Sequence, residues 1–290
     1  MRLRTACWLP QNTPRGTLLL MQGRAEMIEK YFETIGEFLQ HGFAVIAFDW
    51  RGQGGSQRLL PDPMKGHISG FDDYQNDLDA VLHHYQALLQ KPLLVLAHSM
   101  GAAIVMRALE RRILPARAVI LTAPMFAIAL LRKQSWLKGV IESLYLLGLQ
   151  SRYPPLYRSQ SPFNMDFANN PLTRDQKRFE RTQQSLKACP ALAIGMPTLG
   201  WLRAAVKAMD AIKQNQSRYK EMDLPPMLVF APTEDRVTAT PDTRSLCDDL
   251  KTARLVTLND CEHEVLMESD AIRAQFYKTV EQEIMPLFPA

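Results

Sequence analysis

Ser99 lies between an apolar run, Pro92-Leu93-Leu94-Val95-Leu96, and a helical-looking stretch from Ala102 to Leu109, in the string Ala97-His98-Ser99-Met100-Gly101. A strand, a tight turn and a helix with serine at the apex hold a hydroxyl clear of a sheet, because small residues two positions to either side let the chain bend sharply. The free N–H groups and partial positive charge at the helix start suit an oxyanion, so the chemistry indicated is acyl transfer. Ala97 stands where the G-x-S-x-G pattern has its first glycine. Taken alone, a serine opening a helix is more often an ordinary cap.

A serine nucleophile needs a base to take its proton, and the base needs an acid to fix its tautomer and stabilise the imidazolium. In a strand-to-helix elbow of this kind the chain order is serine, carboxylate, histidine, with the later two on loops after successive strands. Met227 to Ala231 runs into Pro232-Thr233-Glu234-Asp235-Arg236, and Ala253 to Leu258 runs into Asn259-Asp260-Cys261-Glu262-His263-Glu264. Asp235 and His263 are therefore the expected partners of Ser99. Of the six histidines only His263 follows the last strand. Glu234 and Asp260 are the competing carboxylates, and His98 is expected to point away beneath the turn. Cys261 is set aside as a nucleophile, since loop residues two apart seldom face each other.

The oxyanion would be held by the N–H of Met100 and by an N–H from an earlier strand-end loop. That loop is Gln22-Gly23-Arg24-Ala25, with the donor assigned to Arg24 and with Gly23 allowing close approach of substrate.

These positions need a scaffold. Apolar segments at Gly16 to Met21, Phe43 to Phe48, Leu93 to Ala97, Ala118 to Leu121, Met227 to Ala231 and Ala253 to Leu258 read as buried parallel strands. Amphipathic stretches at Glu26 to Leu39, Phe71 to Leu89, Ala102 to Arg111, Asp242 to Leu250 and Ala271 to Glu283 read as helices. The alternation predicts an α/β protein with a mostly parallel, doubly wound sheet. It stops between Met125 and Leu202, where helical pieces at Phe126 to Leu131 and Leu144 to Leu149 mix with proline-rich loops. We expect a hydrolase core over 1–124 and 203–290, and an inserted helical cap over 125–202. Thr198, Gly200 and Trp201, at the return to the core, are candidates for lining a substrate pocket, with core packing the alternative for Trp201.

At 290 residues, 47% hydrophobic and 22% charged, the composition is that of a soluble globular protein. No apolar stretch reaches the roughly 20 residues that span a bilayer. Thr5 to Leu9 is too short an apolar block for a signal peptide, which makes the cytoplasm the expected location. Cys7, Cys189, Cys247 and Cys261 are scattered without C-x-x-C spacing, so free thiols and no metal are expected. The segment 125–202 holds ten Lys or Arg against four acids, while the whole chain carries +4. A basic, apolar-studded cap suits peripheral contact with an anionic lipid surface or a phosphate-bearing substrate, the alternative being an ordinary solvated helix face. No nucleic-acid module accompanies it.

Asp49-Trp50-Arg51-Gly52-Gln53-Gly54-Gly55-Ser56, Gly66-His67, the start Phe71-Asp72-Asp73-Tyr74 with Asp77 and Leu78, Ala97 to Gly101, Glu234-Asp235-Arg236 and His263-Glu264 occur in order along nearly the whole chain. Together they resemble the α/β-hydrolase serine hydrolases that include bacterial lysophospholipases and monoacylglycerol lipases, and most closely the lysophospholipase branch. Gln22 departs from the histidine that many of these relatives carry before the oxyanion glycine. The resemblance implies a cofactor-free carboxylester hydrolase acting on a single-chain lipid. The same residues would equally serve a small-ester, thioester or amide hydrolase, including an aminopeptidase, or remain in a hydrolase-fold binding protein.

Overall fold

Seven strands make one sheet in a computed structural model that describes residues 1–89, 92–155 and 161–289. They are β1 (Thr5–Trp8), β2 (Gly16–Met21), β3 (Phe43–Phe48), β4 (Leu93–His98), β5 (Ala116–Thr122), β6 (Met227–Pro232) and β7 (Ala253–Leu258). The order across the sheet is β1-β3-β2-β4-β5-β6-β7, with β1 antiparallel to β3 and every other pairing parallel. The inner strands read as unbroken apolar runs because both faces are covered. Leu19, Met21, Val95 and Ala97 face one core, and Leu18, Leu20, Leu94 and Leu96 face the other.

The helices are α1 (Phe32–Gln40), α2 (Asp72–His84), α3 (Met100–Glu110), α4 (Ala129–Lys133), α5 (Trp136–Leu146), α6 (Gln176–Ala188), α7 (Leu199–Gln214), α8 (Gln216–Glu221), α9 (Thr240–Asp249) and α10 (Asp270–Glu283). Helices α2, α3 and α7 lie over the first core, and α1 and α10 over the second. The chain leaves β2 for β3 on one side and returns to β4 on the other. The crevice beyond the ends of β2 and β4 is therefore a topological switch point, the usual ligand site of such sheets. Met21 is in register with Ala97, which sets the Gln22–Arg24 loop beside Ser99.

Several elements differ from expectation. The short edge strand β1 was not anticipated, since its four half-buried residues carry no periodic signal and its pairing with β3 is tertiary. The helix expected from Glu26 is broken: Met27 is extended, a single 3-10 turn covers Ile28–Tyr31, and α1 begins only at Phe32. The cause is that the Ile28 N–H donates to Asp49 Oδ1 while Glu26 and Lys30 turn inward. In the segment expected to be inserted, α4 starts at Ala129, three residues later than expected, and α5 at Trp136, eight residues earlier. The expected boundary at 202 falls inside α7, and residues 156–160 of the inserted region lie outside the described residues.

Candidate active site

Ser99 caps α3 with φ 49° and ψ −113°, a left-handed strain that non-glycine residues seldom bear. It is held by the surrounding structure. The Ser99 N–H donates to the Thr122 carbonyl at 3.0 Å, and its carbonyl accepts from Met125 and Ala102 at 3.1 Å each. Gly101 is required two residues on, because a Cβ there would stand 2.3 Å from the Met21 carbonyl oxygen and 2.9 Å from that of Gln22. The hydroxyl makes no capping bond to its own helix and is left for another partner.

That partner is His263, whose Nε2 lies 3.0 Å from Ser99 Oγ. Its Nδ1 lies 2.9 Å from Asp235 Oδ2, and both side chains are almost wholly buried. Asp235 is fixed in turn: Oδ1 accepts from the Val237 and Thr238 N–H groups at 2.8 and 2.9 Å, and Oδ2 accepts from the Thr238 hydroxyl. Burial opposes the imidazolium, but the Asp235 charge and hydrogen bond, helped by Glu264 and Glu26, outweigh it and hold His263 above its ordinary value. Burial would raise Asp235, and His263 and Thr238 together hold it below the usual carboxylate range. The sequence-derived trio thus forms one hydrogen-bonded chain. Glu234 and Asp260 lie at the surface, both paired with Arg174. Cys261 is buried, its thiol turned to the Glu262 carbonyl and pushed up by burial.

His98 corrects an expectation. It does not point away from the site. Its ring lies 4.7 Å from that of His263 and lines the same cavity, with Nδ1 3.1 Å from the Thr122 carbonyl. A histidine ending β4 reaches the switch-point crevice because β4 carries the elbow, and burial keeps it neutral, down to about 3.

Beside it is a buried charge cluster that sequence reasoning missed. Lys30 Nζ lies 2.6 Å from Glu26 Oε1 and 2.5 Å from Glu264 Oε1, and Glu26 Oε2 accepts from the Tyr31 hydroxyl and the Gly23 N–H. Glu26 is pulled down to about 2 by Lys30, His98 and Tyr31 against its burial. This carboxylate ties the Gly23 N–H down, while Gln22 Nε2 donates to the Phe48 carbonyl and to Asp49 Oδ1, so the loop is clamped at both residues before Arg24. Glu268, fully buried, accepts from the Glu262, Arg174 and Ser269 N–H groups and braces the His263 loop. Only the Glu26–Lys30 spacing, i to i+4, was visible as a signal. The Lys30–Glu264 and Arg174–Glu268 contacts join distant segments.

Ser99 and His263 open onto a cavity of about 590 Å³, within the range of about 300–1,000 Å³ usual for small-molecule sites. Met125, Ile128, Phe179, Leu186 and Met267 supply much of its wall. Gly23 lines it too, and a Cβ there would meet the Glu26 carboxylate at 2.9 Å and His98 at 3.0 Å. Trp201 has both its expected roles: it is buried, with its ring N–H 3.3 Å from the Tyr74 hydroxyl and its ring near Phe71, and it also faces the cavity. Thr198 and Gly200 do not line it. They lock α7 onto the Gly66-His67 loop, through a 2.9 Å contact from Thr198 to His67 and a glycine whose Cβ would stand 2.7 Å from that ring.

The chain matches known proteins over most of its length. Lysophospholipase L2 of Escherichia coli K12 is 31% identical over 275 residues, covering 89% of this chain and 76% of that one. Probable lysophospholipase L2 of Haemophilus influenzae is 28% identical, covering 93% and 84%. Among solved structures, monoacylglycerol lipase of Paleococcus ferrophilus has a TM-score of 0.74 at 20% identity, covering 99% of this chain and all of that one. A soluble variant of the Saccharomyces cerevisiae monoglyceride lipase has a TM-score of 0.77 at 16% identity, covering 99% and 92%. At these identities the structural likeness establishes the fold, that of an α/β-hydrolase. The family model described as "Serine aminopeptidase, S33" spans residues 12–270, and the chain belongs to this family of α/β-hydrolase serine hydrolases.

Proposed function

We propose that the protein is a carboxylester hydrolase that releases the fatty acid of a single-chain lipid, a lysophospholipid or monoacylglycerol, through an acyl-enzyme. Ser99 Oγ attacks the ester carbonyl as its proton passes to His263 Nε2, with Asp235 holding His263 in the tautomer that accepts there. The oxyanion takes hydrogen bonds from the Met100 and Arg24 N–H groups. Collapse of the intermediate expels the alcohol, which takes the proton from His263. Water, deprotonated by His263, then frees the acid from Ser99.

The observation that carries this reading is the hydrogen-bonded chain Ser99–His263–Asp235 opening on a cavity walled by Met125, Ile128, Phe179, Leu186 and Met267. Such a wall suits an acyl chain. The lysophospholipase names of the relatives point the same way. The family description keeps an amide hydrolase in view. An aminopeptidase needs a carboxylate for the substrate ammonium; of the three that line the cavity among the described residues, Glu26 and Glu264 are both bound to Lys30, and Asp166 accepts from the Ala168 N–H and the Asn169 side-chain amide.

Residues 125–202 would act as the cap over this cavity, and α5 as its contact with lipid. Trp136, Val140 and Leu147 recur at helical spacing and are exposed, as is Leu146, with Lys133 nearby. Among the described residues no helix is long and apolar enough to cross a membrane, so this contact would be peripheral.

Fatty-acid release from palmitoyl lysophospholipid and monopalmitoylglycerol, set against short-chain esters and aminoacyl amides, tests the reading. Preferred release from the long-chain lipids is expected. Hydrolysis confined to short esters or amides would refute the lipid assignment.

A further inference from the structure

Arg24 has a side chain that the ester chemistry does not use. Among the described residues three cations line the cavity through long side chains, and two are neutralised: Lys30 by Glu26 and Glu264, and Arg178 by Glu33, Asp175 and Asp270. Arg24 pairs with no carboxylate among the described residues. One end of its guanidinium donates to the Gly195 carbonyl, its Cζ lies 5.3 Å from the centroid of the Trp201 ring, and its buried Nε has no partner. Burial without a counter-charge lowers it to about 10. A half-buried charge that faces a cavity without a counter-charge favours an anion there.

We infer that the Arg24 guanidinium is an anion subsite of the cavity, taking the phosphate of a single-chain phosphate ester whose acyl carbonyl lies against Ser99. The inference rests on the lipid-ester reading above. Distance along the chain supports it. With staggered bonds of about 1.5 Å, an arginine reaches roughly 6 Å from Cα to guanidinium, and a glycerol unit reaches roughly 7 Å from ester carbonyl carbon to phosphorus. The Arg24 main chain lies in the loop beside Ser99 and its side chain extends to Gly195 and Trp201, so carbonyl and phosphate can be met by the two ends of one residue. A planar fork held over an aromatic ring, with donors left free, is well suited to phosphate oxygens. A neutral monoacylglycerol would leave the charge uncompensated.

Two readouts test this. The first is the ratio of kcat/KM for palmitoyl lysophosphatidylglycerol to that for monopalmitoylglycerol, in wild type, Arg24→Met and Arg24→Lys. Any effect on the oxyanion loop cancels in the ratio. We expect Arg24→Met to lower the ratio at least tenfold, mainly through KM, and Arg24→Lys to recover part of it. Equal losses on both lipids would overturn the inference. The second readout needs no hydrolysis: protection of Ser99 from a fluorophosphonate by an uncleavable alkyl-ether lysophospholipid, compared with the neutral alkyl glycerol ether. Preferential protection by the phosphate ester in wild type, and its loss in Arg24→Met, are expected. Equal protection by the two ethers in wild type, or a preference that survives in Arg24→Met, would overturn the inference. If neither acyl lipid is hydrolysed the lipid-ester reading falls, and this second readout still decides the anion subsite separately.

Discussion

The rings of His98 and His263 stand 4.7 Å apart at an interplanar angle of 54°, yet their environments drive them in opposite directions. Burial holds His98 down at about 3, with Nδ1 against the Thr122 carbonyl, so it is neutral near pH 7. His263 is buried as well, but Asp235 more than offsets this and raises it above its ordinary 6.5. The pair therefore places one neutral ring, not a second positive charge, beside the base.

The pH dependence follows from that asymmetry. His263 must be neutral to accept the Ser99 proton, so a raised value moves the acid limb upward. We expect kcat/KM to rise with pH through a single ionisation centred above 6.5. In Asp235→Asn the burial that opposes protonation acts without its main counterweight, so the limb should move to lower pH while the rate falls on the order of ten-thousandfold. A wild-type limb below 6.5, or an Asp235→Asn rate within tenfold of wild type, would contradict this account.

Gly101→Ala makes a prediction of opposite sign to helix propensity. Alanine for glycine inside a helix ordinarily stabilises by up to about 1 kcal/mol. Here the new Cβ would stand 2.3 Å from a backbone oxygen of β2 that cannot move aside. We expect destabilisation of about 1–3 kcal/mol in urea titration, together with reduced reactivity of Ser99. A neutral or stabilising substitution would show that α3 and β2 are not packed as described.

Lys30→Met tests the buried cluster. It would leave Glu26 and Glu264 facing each other without their cation, a change of the class that costs about 3–5 kcal/mol. The double variant Lys30→Met with Glu264→Gln should recover part of the loss. Stability of Lys30→Met within about 0.5 kcal/mol of wild type would contradict the pairing.

Ser99, Asp235 and His263 were legible because each follows a strongly apolar strand, and in a doubly wound sheet the ends of such strands converge on one crevice. The same logic located the Gln22–Arg24 loop. What stayed hidden depends on contacts between distant segments. Lys30 and Glu264 are 234 positions apart, and the inward turn of Glu26 and Lys30 exists only because the Ile28 N–H bonds Asp49, which broke the helix expected there. His98 was misjudged for a related reason. Strand alternation gives the face a side chain leaves from, but at the last position of β4 the strand has given way to the elbow and its neighbours decide where the ring lies. Edge strand β1 left no periodic trace, since its pairing with β3 is what makes it a strand.

The central claim is that Ser99 is the nucleophile of an acyl-transferring site. Intact-mass analysis after treatment with a fluorophosphonate, on wild type and on folded Ser99→Ala, tests it most directly. The account predicts a single phosphonyl adduct on wild type, none on Ser99→Ala, and parallel loss of fatty-acid release from lysophospholipid. Folded wild type that takes no label, or Ser99→Ala labelled as fully as wild type, would contradict it.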